Sequence, residues 1–477
     1  LKFGSTGTYL LASACSEVSM VPSGILEIPG VGMGRMYLKD LFDLVGVEFQ
    51  ELRMGRYKSA VEGYTRSGPS DPVREETHAL LDELYSELID SIAENRDMKA
   101  VDVRSLIDTA MFLPEEAKER GLIDHIEYGD QFQERVAQKR KIVAAPMGKK
   151  LNLQVGGFAV MMTLFNELFA GPKRTFATKK PKLAIVSASG QIMESSQPSL
   201  MGGAIISSSS MVKTLRGLYE DDTVKAVVLR VNSPGGSALA SDLIWRELEL
   251  LRTKKPVVVS MGDLAASGGY YISCNAHWIV AERGTLTGSI GVIGAVPNFR
   301  KIGERVGVKF ETFSRGKRNG MISPYGEISK DGRDSMMRFL HKIYDDFVSK
   351  VAKGRKLDKK AVHSIAEGRV WTGGQALEIG LVDELGGVDV AIAKAKSLAS
   401  LDDKVEVLRL PKAKTLFEVL NDLEGASLST TVTKGAIRSL GASLPKEIRE
   451  ALAGFEWLGQ IDRKQAFLLS PHLWTIR

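Results

Sequence analysis

Residues 256–271 have the sequence PVVVSMGDLAASGGYY, in which an apolar run is followed by a glycine-rich turn that contains Ser267. Residues 224–237, VKAVVLRVNSPGGS, show the same arrangement, because an apolar run again ends at a pair of glycines. Each run has the length and the β-branched content of a buried strand, and a helical pattern at about 238–251 separates the two. With a third strand at 182–188, this alternation predicts an α/β fold with a mostly parallel sheet. In such sheets, sites collect at the carboxyl ends of the strands.

The composition is that of an ordinary globular protein, with 477 residues of which 44% are hydrophobic and 26% charged. This length predicts two or three domains. The net charge of +6 is small for the length and spread along the chain, so no nucleic-acid partner is expected.

The two cysteines, Cys15 and Cys274, cannot form a disulfide framework. Because the sequence begins at Leu1, we expect a processed or partial chain, and any anchor or targeting segment would lie upstream.

An internal repeat is the most informative feature of the chain. At a constant offset of 261 residues, nine identities occur in 52 positions without a gap, whereas chance gives about three. The matched residues are Gly7/Gly268, Tyr9/Tyr270, Gly30/Gly291, Val31/Val292, Val45/Val306, Gly46/Gly307, Val47/Val308, Phe49/Phe310 and Gly55/Gly316. A weaker match follows at offset 259, between residues 117–124 and 376–383. The chain therefore contains two copies of one domain, and we expect the first copy to be incomplete at its N-terminus.

The domain organisation follows from this repeat. We predict a partial first copy at 1–150, a linker at 151–181, a second copy at 182–412 and a C-terminal extension at 413–477. The linker contains an apolar stretch at 158–170 that is too short and too polar to span a membrane, and we expect an amphipathic helix there. The basic, proline-containing residues 171–181 complete it.

Ser267 and the glycine pair Gly235–Gly236 are the candidate functional residues of the second copy. A serine between a strand and a helix can act as a nucleophile, and the N–H group of Gly268 at the helix start can stabilise an oxyanion. The open N–H groups of the glycine pair suit a carbonyl oxygen in the same way. Taken alone, each motif favours the plainer interpretation, which is a helix cap for Ser267 and a strand–helix turn for the glycine pair. The two loops are one strand–helix unit apart, so they should converge at neighbouring strand ends.

A nucleophilic serine needs a base, and the histidines do not supply one. None lies in a turn motif beside an acid, and His277, the nearest to Ser267, is expected on the following helix and away from the strand end. The six histidines are His78, His125, His277, His341, His363 and His472. We interpret all of them as structural or surface residues.

The repeat points to a lysine instead. At offset 261, Ser267 corresponds to Thr6, and Lys58 corresponds to Asn319. Each copy thus keeps one candidate catalytic residue and carries a substitute at the other position. This complementary loss predicts a single site built across an interface of the two copies, with Ser267 as nucleophile and Lys58 as general base. A lysine normally titrates near 10.4, so this role requires burial.

The chain resembles the long-form signal peptide peptidase A (protease IV) family, peptidase family S49 of the ClpP/crotonase superfamily. The resemblance rests on residues 231–237, 261–271, 287–294 and 56–62, and it extends from residue 1 to about 410. It implies tandem ClpP/crotonase-like domains, a Ser–Lys dyad of Ser267 and Lys58, and an oxyanion hole at Gly235 or Gly236 with Gly268. It also implies a membrane-associated homotetramer that cleaves signal peptides, in a bacterial envelope or on a plastid thylakoid membrane. No cofactor and no metal are expected.

Two other functions remain open at this point. An acyl-CoA enzyme of the crotonase type would use similar glycine amides to hold a thioester oxygen. It would need a carboxylate base, for which Asp263 is the only nearby candidate, and it would leave Ser267 without a role. An inactive scaffold is the second alternative, against which the intact Ser267, Lys58 and glycine pair argue.

Overall fold

The computed structural model describes residues 1–51, 54–139, 180–195 and 204–411, together with the backbone of 467–469. In the first copy the elements are β1 (Phe3–Gly4), α1 (Thr6–Ser13), β2 (Ser19–Met20), β3 (Ile25–Glu27), β4 (Val31–Tyr37), α2 (Lys39–Leu44), α3 (Glu62–Thr65), α4 (Asp71–Asn95), α5 (Ala100–Thr109), β5 (Met111–Phe112), α6 (Pro114–Glu119), β6 (His125–Ile126) and α7 (Gly129–Lys139). The apolar stretch at 158–170 and most of the predicted linker lie outside the described residues.

The second copy is longer. Its elements are β7 (Lys182–Ser189), β8 (Gln191–Met193), β9 (Ile205–Ser207), α8 (Ser208–Glu220), β10 (Val224–Ser233), β11 (Gly235–Ser237), α9 (Ala238–Lys254), β12 (Val257–Ala266), α10 (Gly268–Ser273), β13 (Trp278–Ala281), β14 (Leu286–Gly288), α11 (Arg300–Arg305), β15 (Lys309–Arg315), α12 (Lys330–Arg355), α13 (Lys359–Ile365), β16 (Val370–Thr372), α14 (Gly373–Glu378), β17 (Glu384–Leu385), α15 (Val388–Leu398) and β18 (Glu406–Leu410). A further short strand, β19 (Phe467–Leu469), follows near the C-terminus.

The main sheet of the second copy is mostly parallel, as predicted. Its strands run in the order β16-β14-β12-β10-β7-β18, and β13 and β17 extend it beside β12. The central strands β7, β10 and β12 are parallel neighbours, with Leu229 opposite both Val186 and Val259. The strands predicted at 182–188, 224–231 and 256–260 and the helix predicted at 238–251 are all present. The two glycine-rich turns therefore leave adjacent strands at the same edge of the sheet.

Helices cover both faces of this sheet, which explains why its strands are apolar on both sides. On one face, α9 contributes Ile244 and Leu248 to the large core. On the other face, Ala391 and Ala395 of α15 pack against Val228 and Val258. Burial on both sides fixes the strand ends, and hence the turns that follow them, in one position.

The internal repeat is visible in the elements themselves. The sheet β1-β3-β5 of the first copy repeats the order β12-β14-β16 of the second, and the pair β2-β6 repeats β13-β17. Each copy also contains the same arginine clamp. Arg96 binds the Asp124 carboxylate and the Gly121 carbonyl, and Arg355 binds Asp383 and Gly380 in the same way.

The two copies join through a two-stranded antiparallel ribbon. The strand β4 of the first copy pairs with β15 of the second over seven residues, from Val31 opposite Arg315 to Tyr37 opposite Lys309. The backbones approach closely here, because a Cβ added at Gly30 would lie 2.2 Å from the Arg315 carbonyl oxygen. This ribbon, together with a polar cluster described below, sets how the first copy lies against the second.

Two further features bear on function. The short strand β19 pairs antiparallel with β11, placing Leu469 opposite Gly235. Within the described ranges, no helix is both long and apolar enough to cross a membrane.

The arginine clamps give a direct test of the fold. Replacing Arg355 by alanine should lower the free energy of unfolding by about 3 kcal/mol, because it leaves the partly buried Asp383 carboxylate without its guanidinium partner. The exposed pair of Lys359 with Asp345 is the matched control, and Lys359→Ala should change stability by less than about 0.5 kcal/mol. Urea unfolding followed by circular dichroism measures the change in unfolding free energy for both variants. Equal effects of the two substitutions would contradict a structural role for the clamp.

Candidate active site

Ser267 lies where β12 ends and α10 begins. Its backbone has φ 54° and ψ −116°, a region that L-residues rarely adopt and that costs about 1–3 kcal/mol. The conformation is held from both sides: the Ser267 N–H donates to the Gly288 carbonyl at 2.9 Å, and the Tyr271 N–H donates to the Ser267 carbonyl at 2.8 Å. The side chain is completely buried, and its Oγ has no hydrogen-bond partner among the described residues. A helix cap would use that oxygen, so the geometry disfavours the cap interpretation.

The two glycine-rich loops converge, as predicted. A Cβ added at Gly268 would lie 3.1 Å from the Gly235 Cα and 3.2 Å from the Gly236 nitrogen. Gly235 and Gly236 have φ of 101° and 157°, so the loop depends on glycine at both positions. The Gly235 N–H donates to the Ser233 Oγ at 3.1 Å. The Gly235 N–H thus has a partner within its own loop, and the roles of Gly235, Gly236 and Gly268 as oxyanion donors stay predictions.

His277 has a structural role, but its predicted position on the helix was wrong. The helix α10 has only six residues and ends at Ser273, so His277 lies in the turn before β13. Its Nδ1 accepts a hydrogen bond from the Val257 N–H at 3.1 Å. Burial and the nearby Arg252 lower the pKa of His277.

Lys58 is exposed in the single chain. It follows a turn in which its N–H donates to the Gly55 carbonyl at 3.1 Å. The lysine lines an open cleft of about 690 Å³ together with Arg35, Tyr37 and Glu76, and Ser267 is not among the residues that line it. The assignment of Lys58 as base therefore stays a prediction.

The interface within the chain brings the two substituted positions together instead. The Thr6 Oγ1 donates to the Gly30 carbonyl at 3.2 Å, immediately before β4. Asn319 lies beside the same strand, because a Cβ added at Gly32 would be 2.8 Å from its Oδ1. Thr6 and Asn319 are the residues that correspond to Ser267 and Lys58. The ribbon thus holds these two substituted positions, and not the two candidate catalytic residues, beside the same strand.

Asp242, on α9, is a buried carboxylate that sequence reasoning missed. It is fully buried and accepts hydrogen bonds from Tyr271 at 2.8 Å, Ser23 at 2.6 Å and Tyr128 at 3.0 Å. The Lys350 ammonium of α12 lies 2.7 Å from its Oδ1. Tyr271 stands one turn after Ser267, whereas Ser23 and Tyr128 belong to the first copy. Asp242 therefore ties α10 of the second copy to the first copy.

The charge of Asp242 is stabilised despite its burial. Burial by itself would raise the pKa of this carboxyl, but the Lys350 ammonium and the hydrogen bonds from Ser23 and Tyr271 outweigh it and lower the pKa below its usual value. The sequence carries one signal for this residue. Asp242 lies on the same face of α9 as Ala238 and Trp245, and a carboxylate on such a buried face needs a partner.

A buried serine with a strained backbone beside two converging glycine loops is the geometry expected of a serine hydrolase. The model of one protein family, described as Peptidase family S49, matches residues 2–143 and 249–402. The chain belongs to this family. It is 33% identical over 460 residues to "Serine protease SPPA, chloroplastic" of Arabidopsis thaliana, covering 95% of this chain and 66% of that protein.

Bacterial proteins are similar to the same extent. "Protease 4" of Haemophilus influenzae is 34% identical over 412 residues, which cover 83% of this chain and 63% of that protein. A "Putative signal peptide peptidase SppA" of Enterococcus faecium is 34% identical over 249 residues, 52% of this chain and 70% of that protein. The chain spans about two thirds of the length of the longer relatives.

The Asp242 cluster should contribute strongly to stability. Asp242→Asn should lower the free energy of unfolding by about 3 kcal/mol, because the Lys350 ammonium stays buried without its counter-ion. Adding Lys350→Met should recover part of the loss, since it removes the uncompensated charge. Chemical denaturation of the two single variants and the double variant gives the coupling energy. If the stability loss in the double variant equalled the sum of the losses in the two single variants, this result would contradict an ion pair between Asp242 and Lys350.

The same cluster predicts an acid dependence. Since folding lowers the pKa of Asp242, its contribution is complete above the usual carboxyl range near 4 and is lost as the pH falls through the lowered value. The difference in unfolding free energy between the wild type and Asp242→Asn should therefore be constant from about pH 5 to 7 and shrink below about pH 4. Denaturation series at fixed ionic strength measure it. If the difference in unfolding free energy grew as the pH falls, it would contradict a lowered pKa for Asp242.

Proposed function

We propose that the chain is a serine endopeptidase with a Ser–Lys dyad, in which Ser267 is the nucleophile and Lys58 the general base. The observation that carries the proposal is the Ser267 Oγ, which is buried, lacks a partner among the described residues and lies beside the converging glycine loops. Membership of peptidase family S49 supports the choice of reaction. The loss of serine at Thr6 and of lysine at Asn319 supports the pairing of the two remaining groups.

The mechanism follows from these roles. Neutral Lys58 accepts the Ser267 hydroxyl proton as Oγ attacks the peptide carbonyl carbon, and the negative charge develops on the carbonyl oxygen. The N–H groups of Gly268 and Gly236, or Gly235, stabilise that oxyanion. The lysine then protonates the leaving amine, and an acyl-enzyme remains on Ser267. Water, deprotonated by Lys58, hydrolyses the ester and regenerates the serine.

The substrate is an extended peptide. The edge of β11 that borders the nucleophile already holds an extended segment of the chain, since β19 pairs antiparallel with Gly235–Ser237. An incoming peptide that pairs in the same way would lay its backbone along the glycine loop, with main-chain hydrogen bonds providing affinity. The segment in β19 has the apolar sequence Phe-Leu-Leu. We propose apolar peptides, including cleaved signal peptides, as substrates, and one relative carries the name of a signal peptide peptidase.

The cellular setting belongs to the same proposal. We propose a homotetramer associated with a membrane, on the periplasmic face of a bacterial inner membrane or on a plastid thylakoid membrane. The relatives include bacterial proteins and a chloroplast protein, which supports both settings. The crotonase-type alternative receives less support, because Asp263 is exposed and the chain belongs to a peptidase family.

Substitution of either dyad member tests the proposal. Ser267→Ala and Lys58→Ala should each reduce peptide hydrolysis by about 1000-fold or more, because the nucleophile and its base act as a unit. A fluorophosphonate probe should label Ser267 in the wild type, and labelling should slow sharply in Lys58→Ala.

The corresponding positions of the other copy provide matched controls. Thr6→Ala and Asn319→Ala alter the sites that have already diverged, so both variants should keep wild-type labelling and hydrolysis. Hydrolysis by Lys58→Ala close to the wild-type rate would refute the dyad. Absence of probe labelling at Ser267 in folded protein would refute the peptidase function altogether.

A further inference from the structure

The strained backbone of Ser267 occurs in one of the two copies only. Ser267 has φ 54°, whereas the corresponding residue of the first copy, Thr6, is the first residue of the helix α1 and is not among the described residues with a positive φ. The fold that the copies share therefore makes this turn without strain. A strained conformation persists only where its surroundings hold it. The second copy must then contain a contact at this turn that the first copy lacks.

The helix α10, which follows Ser267, carries two adjacent tyrosines with different roles. The Tyr270 hydroxyl donates to a backbone carbonyl at 2.9 Å, and Tyr9 of the first copy makes the equivalent hydrogen bond at 2.7 Å. Both copies have this bond, so it does not account for the strain. Tyr271 corresponds instead to Leu10, which has no hydroxyl group and packs against the core of the first copy. The Tyr271 hydroxyl is therefore specific to the copy that contains the strained serine.

Tyr271 connects Ser267 to Asp242 directly. Its N–H donates to the Ser267 carbonyl at 2.8 Å, and its hydroxyl donates to the Asp242 carboxylate, also at 2.8 Å. Tyr271 is 2% exposed and Asp242 is completely buried, so water cannot replace either partner. Because both ends of Tyr271 are bonded, the Ser267 carbonyl cannot move with α10 unless a buried hydrogen bond is lost.

Asp242 belongs to the helix that begins at the glycine loop. That helix, α9, follows the strand β11 and its glycine pair without a gap. It also lies against the start of α10, because a Cβ added at Gly268 would be 2.7 Å from the Oγ of Ser241, the residue before Asp242. The hydrogen bond between Tyr271 and Asp242 thus joins the helix of the serine to the helix of the glycine loop.

The Asp242 carboxylate is itself fixed by groups outside these two helices. The Lys350 ammonium of α12 lies 2.7 Å from Oδ1. Ser23 and Tyr128 of the first copy donate to Oδ2 at 2.6 Å and 3.0 Å. A buried carboxylate with partners on both oxygens is a rigid acceptor, and a rigid acceptor can hold the group that bonds to it in one position.

We infer that Asp242 is a positioning residue for peptide hydrolysis, which acts through Tyr271 to hold Ser267 in its strained turn beside the glycine loop. The inference rests on the proposed function, in which Ser267 is the nucleophile. Asp242 does not touch the reacting atoms, so it contributes geometry and not proton transfer. Without its bond to Tyr271, the turn should relax towards the helical backbone that Thr6 has, and the hydroxyl should leave its position for attack.

Tyr271→Phe tests the inference with the least change in packing. We expect the kcat for peptide hydrolysis and the rate constant for fluorophosphonate labelling of Ser267 to fall about tenfold or more, with KM nearly unchanged, because binding remains and orientation is lost. Labelling should still reach completion. A purely structural role would have the opposite signature, since loss of folded protein lowers the labelled fraction and leaves the rate constant unchanged.

Tyr128→Phe is the matched control, because it removes a tyrosine hydroxyl from the other oxygen of the same carboxylate. It should lower the midpoint of urea unfolding about as much as Tyr271→Phe does, since each variant loses one buried hydrogen bond. Its labelling rate should stay within about twofold of the wild type, because Tyr128 has no hydrogen bond to Ser267. A wild-type rate in Tyr271→Phe, or equal slowing in both variants, would overturn the inference.

A combined variant tests whether Tyr271 acts through Asp242. Asp242→Ala together with Lys350→Met removes the acceptor and also the charge that would otherwise stay buried without a partner. Labelling in this double variant should be slow, and adding Tyr271→Phe should slow it no further. A further slowing of the same size would overturn the role of Asp242. Absence of labelling at Ser267 in folded wild-type protein would instead refute the proposed function, so the two failures are distinguishable.

Discussion

The approach of the Gly268 backbone to the backbone of Gly235 and Gly236 is the contact on which the candidate site depends. A single methyl group on Gly268 would collide with the Ser241 hydroxyl, at 2.7 Å, and crowd both glycines of the neighbouring loop. The contact exists because β10 and β12 are adjacent and parallel, so that the turns leaving them meet at one edge. It directs the chain into the positive-φ conformation of Ser267, and burial of the strands on both faces prevents the turn from relaxing.

Much of this arrangement could be predicted from the sequence, because its signals are local. Apolar runs of strand length, glycine pairs at their ends and a helical pattern between them gave the order and direction of β7, β10 and β12. The repeat gave the two copies, since matched glycines such as Gly55 and Gly316, which both have a positive φ, report backbone requirements. The Asp242 cluster could not be predicted, because Ser23, Tyr128, Tyr271 and Lys350 come from distant parts of the chain. The length of α10 was also misjudged, since nothing local to Cys274 marks its end.

The relation between Ser267 and Lys58 shows a further limit of sequence reasoning. Alignment of the two copies identifies which residues diverged together, but it does not specify whether the interface between them lies within a chain or between chains. The ribbon answers the question for Thr6 and Asn319 only. Both residues lie at the same end of β4 within one chain. Only a three-dimensional contact shows which two positions of the copies face each other.

The ion pair of Asp40 with Lys309 lies at one end of the ribbon and is partly exposed to solvent. Dissolved salt screens a pair of this kind, so it contributes about 1 kcal/mol or less. The attachment of the first copy to the second therefore depends mainly on the backbone pairing of β4 with β15 over seven residues. Because hydrogen bonds between neutral backbone groups respond little to ionic strength, the relative placement of the two copies is the same in dilute and in concentrated salt.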